Sequence, residues 1–398
     1  MKTDEKKETI MGIVICFIIT GLFLTNISYG IFQDNLSIYE LINLGCKIAI
    51  LGCLFVASIF LIKKFNIKII LYIAIFALTV AIQLVFFSSL NDYFIDNLIN
   101  YTTVILPTVV CFLSITDYKR ILKYLVKVSF IIAIFTIIVF LIFGNNLFKN
   151  GYSMGFANIM IFPTNILIYY LFNSKSNNIK KIVTIILVLF NIFVVFSFGS
   201  RGALIDIVAF MMFSFITNKE KTAGKYITII VIGIIIMMGV VFFNDIIDTL
   251  INIFDELGIN SRTLTILSTD LNHDSGRSEI WESIIKEIEQ NPFKVRGINA
   301  EYAIVGIYSH NMFLELMYDL GILLGLPITI YIIYAIIKTL LVKKKSAYIH
   351  LLQLILFSFF PLLLWSDSIW KSIFFWIWVC CFDEKKICKK EEKIYYEE

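Results

Sequence analysis

Two arginines and one histidine are the residues of this sequence that are best suited to chemistry. The first arginine stands in the run Phe198-Gly199-Ser200-Arg201-Gly202-Ala203. Glycines allow the chain to reverse sharply there, so we expect the next helix to begin with its free backbone N–H groups beside a guanidinium. That combination can bind an anion such as a phosphate. The alternative is an arginine that only marks a helix end and keeps its charge in water.

The second arginine precedes an amphipathic segment. Arg277 lies in Ser275-Gly276-Arg277-Ser278, and the apolar residues that follow have helical spacing: Ile280, Trp281, Ile284, Ile285 and Ile288. The pattern predicts a helix over Ser278 to Gln290 that ends at Asn291-Pro292. Ser275 or Ser278 is predicted to cap this helix, which places Arg277 at another helix N-terminus. The alternative is a surface arginine paired with Glu279 or Asp274.

The histidine lies in Ser309-His310-Asn311, ahead of Glu315, Asp319 and Gly321. A histidine has an ordinary pKa near 6.5 and can therefore act as a general base near neutral pH. The alternative is an interfacial histidine that caps a helix, a role that Asn311 could fill instead. His273 and His350 are weaker candidates, because one lies in a polar loop and the other on the predicted cytoplasmic side.

Long apolar blocks must position these residues. The 398-residue chain is 59% hydrophobic and only 16% charged, with a mean hydropathy of +0.85. Unbroken apolar runs of about 20 residues predict transmembrane helices and exclude a β-barrel. The chain is thus predicted to be an all-α, polytopic membrane protein with about twelve spans. These are 10–30, 42–62, 67–88, 98–116, 128–146, 155–173, 182–198, 203–217, 226–246, 312–337, 347–365 and 368–382.

The positions of lysine and arginine predict the orientation. With the N-terminus inside, 25 of the 34 basic residues fall in the cytoplasmic segments, as the positive-inside rule requires. The predicted order is nine spans in 1–246, an extracytoplasmic loop at 247–310, three spans in 311–382 and a cytoplasmic tail at 383–398. Arg201, Arg277 and His310 then all lie on the outer face of a bacterial cytoplasmic membrane. The long loop has a formal charge of −5, so its arginines are not part of a generally basic surface.

Several classes of protein are disfavoured. The net charge of +4 is spread over short loops, so no nucleic-acid partner is expected. The seven cysteines show neither zinc spacing nor a disulfide framework in the outer loop. No phosphate-binding glycine loop and no Asp-x-Asp motif occurs, so nucleotide hydrolysis and a metal-bound nucleotide-sugar donor are not expected. We expect no metal and no cofactor.

Together these motifs resemble those of the O-antigen ligase/polymerase superfamily. The resemblance rests on the Ser200-Arg201-Gly202-Ala203 turn, the outer loop with Ser275-Gly276-Arg277 and Trp281, and the segment from Ser309 to Gly321. Ten residues separate His310 from Gly321, as in the His-x10-Gly pattern of Wzy-type polymerases. The companion Arg-x10-Gly pattern is not met from Arg201, because position 212 is a methionine.

The resemblance implies a GT-C-like, metal-independent glycosyl transfer on the outer face. The donor would be an oligosaccharide linked to undecaprenyl diphosphate, polymerised into O-antigen, capsule or exopolysaccharide. Arg201 and Arg277 would bind the diphosphate, and His310 would orient or deprotonate the acceptor hydroxyl. The substrate-binding residues would be Ser200, Gly202, Asn311, Glu315, Trp281 and Lys47. Besides the lipid bilayer, possible partners are a chain-length regulator and a flippase of the same pathway.

Three other functions remain open. A ligase would transfer a finished glycan to another acceptor. A flippase of lipid-linked oligosaccharide would carry out no covalent chemistry, but it would need charges along several spans, whereas this chain concentrates them at one face. A structural protein would not need the three motifs. Asp206 lies inside the bilayer and can be an ion-pair partner or a base.

Overall fold

The computed structural model describes residues 2–61, 67–147, 153–174, 177–198, 201–217, 243–256, 264, 276–342 and 346–388. Within these ranges every regular element is helical, which confirms the predicted all-α class. The predicted domain boundaries stay predictions. The predicted ninth span, 226–246, lies mostly outside the described residues.

The amino-terminal half consists of long helices joined by short turns. A π-helical turn, Tyr101–Ile105, separates α4 from α5. The helices are α1 (Lys2–Ile31), α2 (Leu36–Leu61), α3 (Ile67–Phe86), α4 (Asn91–Asn100), α5 (Leu106–Leu113), α6 (Tyr118–Phe143), α7 (Met154–Asn173), α8 (Asn178–Phe198) and α9 (Arg201–Thr217).

The carboxy-terminal half contains one long helix, α13, among shorter ones. The helices are α10 (Phe243–Glu256), α11 (Arg277–Gln290), α12 (Tyr302–Val305), α13 (Met312–Leu341), α14 (Ala347–Leu356), α15 (Phe360–Trp365), α16 (Ile373–Cys381) and α17 (Glu384–Cys388).

Eight helical segments of the described chain are long and apolar enough to cross a membrane, or nine if one bent pair is a single span. The protein is therefore a polytopic membrane protein, while the count of twelve stays a prediction.

Two predicted spans differ in form. The predicted span 98–116 belongs to the bent pair, which turns by 51°. The predicted span 368–382 contains only the nine-residue helix α16, because residues 366–372 form a turn that fastens to α13.

Side-chain caps explain where several helices begin. Asp117, Ser153 and Ser346 each accept a bond from a backbone N–H in the first turn of α6, α7 and α14. These bonds satisfy donors that a helix start would otherwise leave unpaired. The chain thus marks its helix starts with local sequence signals, even though the helices are almost wholly apolar.

The main core lies where α1, α6, α7 and α14 pack together with α5 and α16. Large apolar side chains such as Phe23, Phe156 and Phe162 are fully buried there. By contrast, α2 and α3 leave most of their apolar residues exposed on the outside of the protein, as expected of helices that face lipid tails.

A smaller core lies under the amphipathic helix. The prediction for this segment is confirmed to within one residue, since α11 runs from Arg277 to Gln290. Its Ile284 and Ile288 are buried against Leu90, Ala300 and Tyr318. Helix α11 therefore packs on α13, which brings the predicted arginine toward the predicted histidine.

Candidate functional site

Helix α13 is kinked at Gly321, the glycine of the His-x10-Gly spacing. Its φ of 69° and ψ of 159° are a conformation that is nearly exclusive to glycine. A Cβ at this position would lie 2.9 Å from the carbonyl oxygen of Phe293. The kink frees the Ile322 amide to donate to the Pro292 carbonyl at 2.8 Å. Gly321 is thus needed where the loop after α11 crosses α13.

Asp319 fastens that same loop from the other side of the kink. Its carboxylate is fully buried and accepts bonds from the backbone N–H groups of Asn299 and Ala300, at 3.2 and 3.3 Å. It also accepts the indole N–H of Trp370 at 2.7 Å. One carboxylate therefore ties the 299–300 loop and the turn after α15 to α13.

Glu315, one helical turn earlier, has a similar function. Its carboxylate is fully buried, accepts the Ser368 hydroxyl, and accepts the Ile369 amide at 3.0 Å. Glu315 is predicted from the family resemblance to bind substrate. Both of its oxygens are instead bonded to the 366–372 turn, so the structure favours a positioning role for this side chain.

His310 lies directly before α13 in a strained conformation. Its φ of 55° is uncommon for a residue other than glycine, and such strain occurs at functional sites. The next residue, Asn311, caps α13 by accepting from the Phe313 and Leu314 amides at 3.0 and 3.3 Å. Asn311 therefore performs the capping, and the imidazole is free for another role.

Two contacts hold the imidazole in place. The ring lies 4.2 Å from that of Tyr308, centre to centre. One ring nitrogen bonds the backbone of Ser366, while the buried Nδ1 has no partner within the described chain. Nδ1 is thus the ring nitrogen for which the described chain shows no hydrogen-bond partner. The Tyr308 hydroxyl also donates to the Ser366 carbonyl, at 3.1 Å.

Trp281 joins α11 to the histidine segment. Its indole N–H donates to the Ser309 carbonyl at 2.8 Å. Trp281 lies four residues after Arg277, so both side chains project from one face of α11. The helix N-cap is Gly276 with a φ of 78° and no side-chain cap bond, so Ser278 does not cap the helix as predicted. Ser275 lies outside the described residues.

The structure brings Arg277 and His310 together. Burial and, to a smaller extent, the nearby positive charge of Arg277 lower the pKa of His310 to about 4, although the bond to the Ser366 backbone opposes this shift. An imidazole with this pKa is neutral at physiological pH. It can therefore accept a proton from a hydroxyl, which a protonated histidine cannot do.

The first arginine is only partly defined. Arg201 begins α9, but its side chain and all of Ser200 lie outside the described residues. Helix α9 packs against α15, with Asp206 fully buried beside the backbone of Leu362. Arg201 and Ser366 each lie about one helical turn from that contact.

The remaining predicted residues have different surroundings. Gly202 is buried at the start of α9, as expected where a helix end packs closely. Lys47 lies on α2, which packs against α1 and α5, and none of these helices carries Arg277 or His310. The predicted substrate-binding roles of Gly202 and Lys47 stay predictions.

Two residues of this region, Lys371 and Glu301, were not predicted from the sequence as members of the site. Lys371 donates to the Tyr302 hydroxyl at 2.8 Å and lies 5.4 Å from the centre of the Tyr308 ring. Glu301 is fully buried, and its carboxyl group shares a hydrogen bond with the carboxyl group of Asp319. Burial and the neighbouring carboxylate of Asp319 raise the pKa of Glu301 well above its usual range. A lysine in an otherwise cation-poor outer turn was the available signal for Lys371.

Comparison with known proteins agrees with the motifs. Residues 184–329 match the model of the O-antigen ligase family, a segment that contains Arg201, Arg277, His310 and Gly321. This part of the chain is therefore similar to the family, whose members are glycosyltransferase-like enzymes, and the resemblance to the O-antigen ligase/polymerase superfamily is confirmed. No curated protein and no solved structure matches the chain at a significant level.

Proposed function

We propose that this protein polymerises oligosaccharide repeat units carried on undecaprenyl diphosphate, at the outer face of a bacterial cytoplasmic membrane. The observation that carries the proposal is the neutral His310, whose Nδ1 has no partner in the described chain, beside Arg277 at a helix N-terminus. A base and a fixed cation in one partly buried site suit the transfer of a sugar from a diphosphate to a hydroxyl.

The proposed reaction is a single displacement. The acceptor hydroxyl attacks the anomeric carbon of the donor sugar, and the bond from that carbon to the diphosphate oxygen breaks. Nδ1 of His310 takes the hydroxyl proton, an effect of about 10²–10⁴-fold. Arg277, together with Arg201, stabilises the departing diphosphate, and each charge-assisted contact contributes about 2–4 kcal/mol to the transition state. No metal is needed, because the arginines supply the positive charge.

The glycine and carboxylates of α13 support this reaction indirectly. Gly321 and Asp319 hold the loop after α11, while Glu315 holds the turn that contacts His310. These residues fix the separation between α11 and the histidine. We therefore assign them positioning roles rather than contact with the sugar.

Polymerase and ligase differ in what they need as acceptor. The test uses purified protein with the lipid-linked repeat unit as its only substrate. A polymerase makes a ladder of products from that substrate alone, whereas a ligase makes none until a second acceptor is added. Without a ladder the polymerase proposal is wrong, and transfer only to the added acceptor establishes the ligase.

Loss of Arg201 or of His310 should stop the formation of long polymer. In cells, Arg201→Ala and His310→Ala should leave single lipid-linked repeats and normal protein levels but no long polymer. Normal polymer in both variants would exclude the catalytic assignment. A flippase predicts a different result, since its loss leaves the repeats facing the cytoplasm.

A further inference from the structure

A cavity beside the site has mostly apolar walls. It has a volume of about 400 Å³, which is within the range of small-molecule sites. Its walls come from α3, α4, the 295–298 loop, α13 and the start of α16. Phe76, Phe94, Leu98, Leu320 and Trp376 contribute most of the apolar wall.

Most polar groups of this wall are bonded within the protein, whereas the indole N–H of Trp376, which also lines the cavity, has no partner within the described chain. Gln83 exchanges two bonds with the backbone of Ile298, at 3.2 and 2.9 Å. The hydroxyls of Tyr72 and Tyr101 bond each other at 2.6 Å, and Trp370 donates to Asp319. Because the side chains of Gln83, Tyr72, Tyr101 and Trp370 already have partners, the cavity favours an apolar occupant over a polar one.

The cavity is accessible to the lipid. Helix α3 forms one wall, and most of its residues are exposed on the outside of the protein. Val80 of α3 lines the cavity, while Leu78, two residues before it, is 60% exposed and does not. An apolar chain in the bilayer can therefore reach the cavity beside α3.

A cation lies where the cavity meets the site. Trp370 lines the cavity, and the next residue, Lys371, lies 5.2 and 5.4 Å from the ring centres of Tyr302 and Tyr308. Tyr308 in turn contacts His310. Within the described chain Lys371 has no carboxylate within 4 Å; its hydrogen bond is to the neutral Tyr302 hydroxyl. The buried carboxyl groups of Glu301 and Asp367 lie near enough to interact with its charge, and the aromatic rings hold the ammonium at the rim, where it can contact an anion.

We propose that this cavity binds the isoprenoid chain of the lipid-linked donor, and that Lys371 contacts the diphosphate where the chain leaves the cavity. The proposal rests on the proposed function. An apolar cavity, a cation at its rim and a neutral histidine beyond it follow the order of tail, diphosphate and sugar in such a donor. A membrane phospholipid would fill the cavity but would place no sugar against His310.

The first test compares two donors and two variants of the full chain. The donors carry the same sugar diphosphate on a long polyprenyl chain or on a geranyl chain. Val80→Trp fills the cavity and should raise the KM for the long-chain donor about tenfold, a loss of about 1.4 kcal/mol in binding. The KM for the geranyl donor should be unchanged. Leu78→Trp adds the same ring to the lipid-facing side of α3 and should leave both donors unaffected.

Two results would overturn the assignment of the cavity. One is a Val80→Trp variant with an unchanged KM for the long-chain donor. The other is an equal loss for both donors, which would indicate a general defect. Either result leaves the transfer reaction itself in place, so this failure is distinct from failure of the proposed function.

Binding without turnover tests the role of Lys371. A photoreactive polyprenyl diphosphate is cross-linked to the protein in nanodiscs, and the labelled peptides are mapped. Labels should fall in α3, α4 and residues 295–298, and unlabelled polyprenyl diphosphate should displace them. Lys371→Met should weaken displacement by polyprenyl diphosphate about tenfold but not displacement by polyprenol, which lacks phosphate.

Two controls complete the binding test. Lys371→Arg keeps the charge and should bind normally, and Lys294→Met removes an exposed lysine outside the cavity and should have no effect. Displacement by phospholipid but not by polyprenyl diphosphate would make the cavity an ordinary lipid site. Equal effects of Lys371→Met and Lys294→Met would contradict the contact between Lys371 and the diphosphate.

Discussion

Buried polar side chains bond within their own helix in the core bundle, whereas in the site region they bond to distant segments of the chain. In the bundle of α1, α6 and α7, the hydroxyls of Ser129 and Thr136 bond carbonyls four residues earlier in their own helix. In the site region, Asp319 and Glu315 bond groups of distant segments. A bundle substitution should therefore affect packing alone, whereas a substitution in the site region should also move catalytic groups.

The largest effect should come from the histidine. His310→Ala removes the proposed base and should lower kcat/KM about 10²–10⁴-fold, measured with the lipid-linked donor. His350→Ala is the matched control, because His350 lies on α14 against the ring of Tyr169. A loss of similar size in both variants would mean that neither histidine acts as the base.

The next effect should come from the kink glycine. Gly321→Ala combines a backbone conformation that alanine avoids with a contact to the Phe293 carbonyl, and should cost about 3 kcal/mol or more of stability. Gly52→Ala on α2 meets no atom within 4 Å and should stabilise the protein by about 0.5–1 kcal/mol. Thermal unfolding in detergent measures both. Equal effects would remove the special role of position 321.

These positions show what the sequence could predict. Apolar periodicity located the long helices and placed α11 to within one residue, because hydrophobic pattern governs both. The sequence also paired Arg277 with His310 through motif order. It could not show that the predicted span 368–382 begins with a turn, since that turn depends on Glu315 and Asp319 from another helix. The roles of Glu301 and Lys371 depend on such contacts across distant segments as well.

A smaller effect should follow from the link between α11 and the histidine segment. Trp281→Phe removes the bond to the Ser309 carbonyl and should lower kcat/KM about tenfold, since a misplaced catalytic group reduces rate more than stability. Thr136→Val removes a bond of the bundle core and should leave kcat/KM unchanged while costing about 1 kcal/mol of stability. An unchanged rate in Trp281→Phe would mean that this bond does not position His310.

The smallest effect is a shift in the pKa of His310, which is measured apart from the rate because Arg277 is also proposed to bind the diphosphate. The charge of Arg277 lowers the pKa of His310, so Arg277→Gln should raise that pKa from about 4 toward its usual 6.5. The imidazole would then protonate at higher pH, and the acid limb of the activity profile should move upward. NMR titration of His310, with His273 and His350 replaced by glutamine, measures the pKa directly. No change would place Arg277 too far from the imidazole to act on it.

The central claim is that Arg201, Arg277 and His310 meet at one diphosphate. The most direct measurement is a cryo-EM structure of the protein with a non-hydrolysable lipid-linked sugar diphosphate. We expect both guanidinium groups within hydrogen-bonding distance of the phosphate oxygens and Nδ1 of His310 facing the anomeric carbon. A diphosphate bound away from Arg277 and His310, or an Arg201 side chain directed into the lipid, would contradict the account.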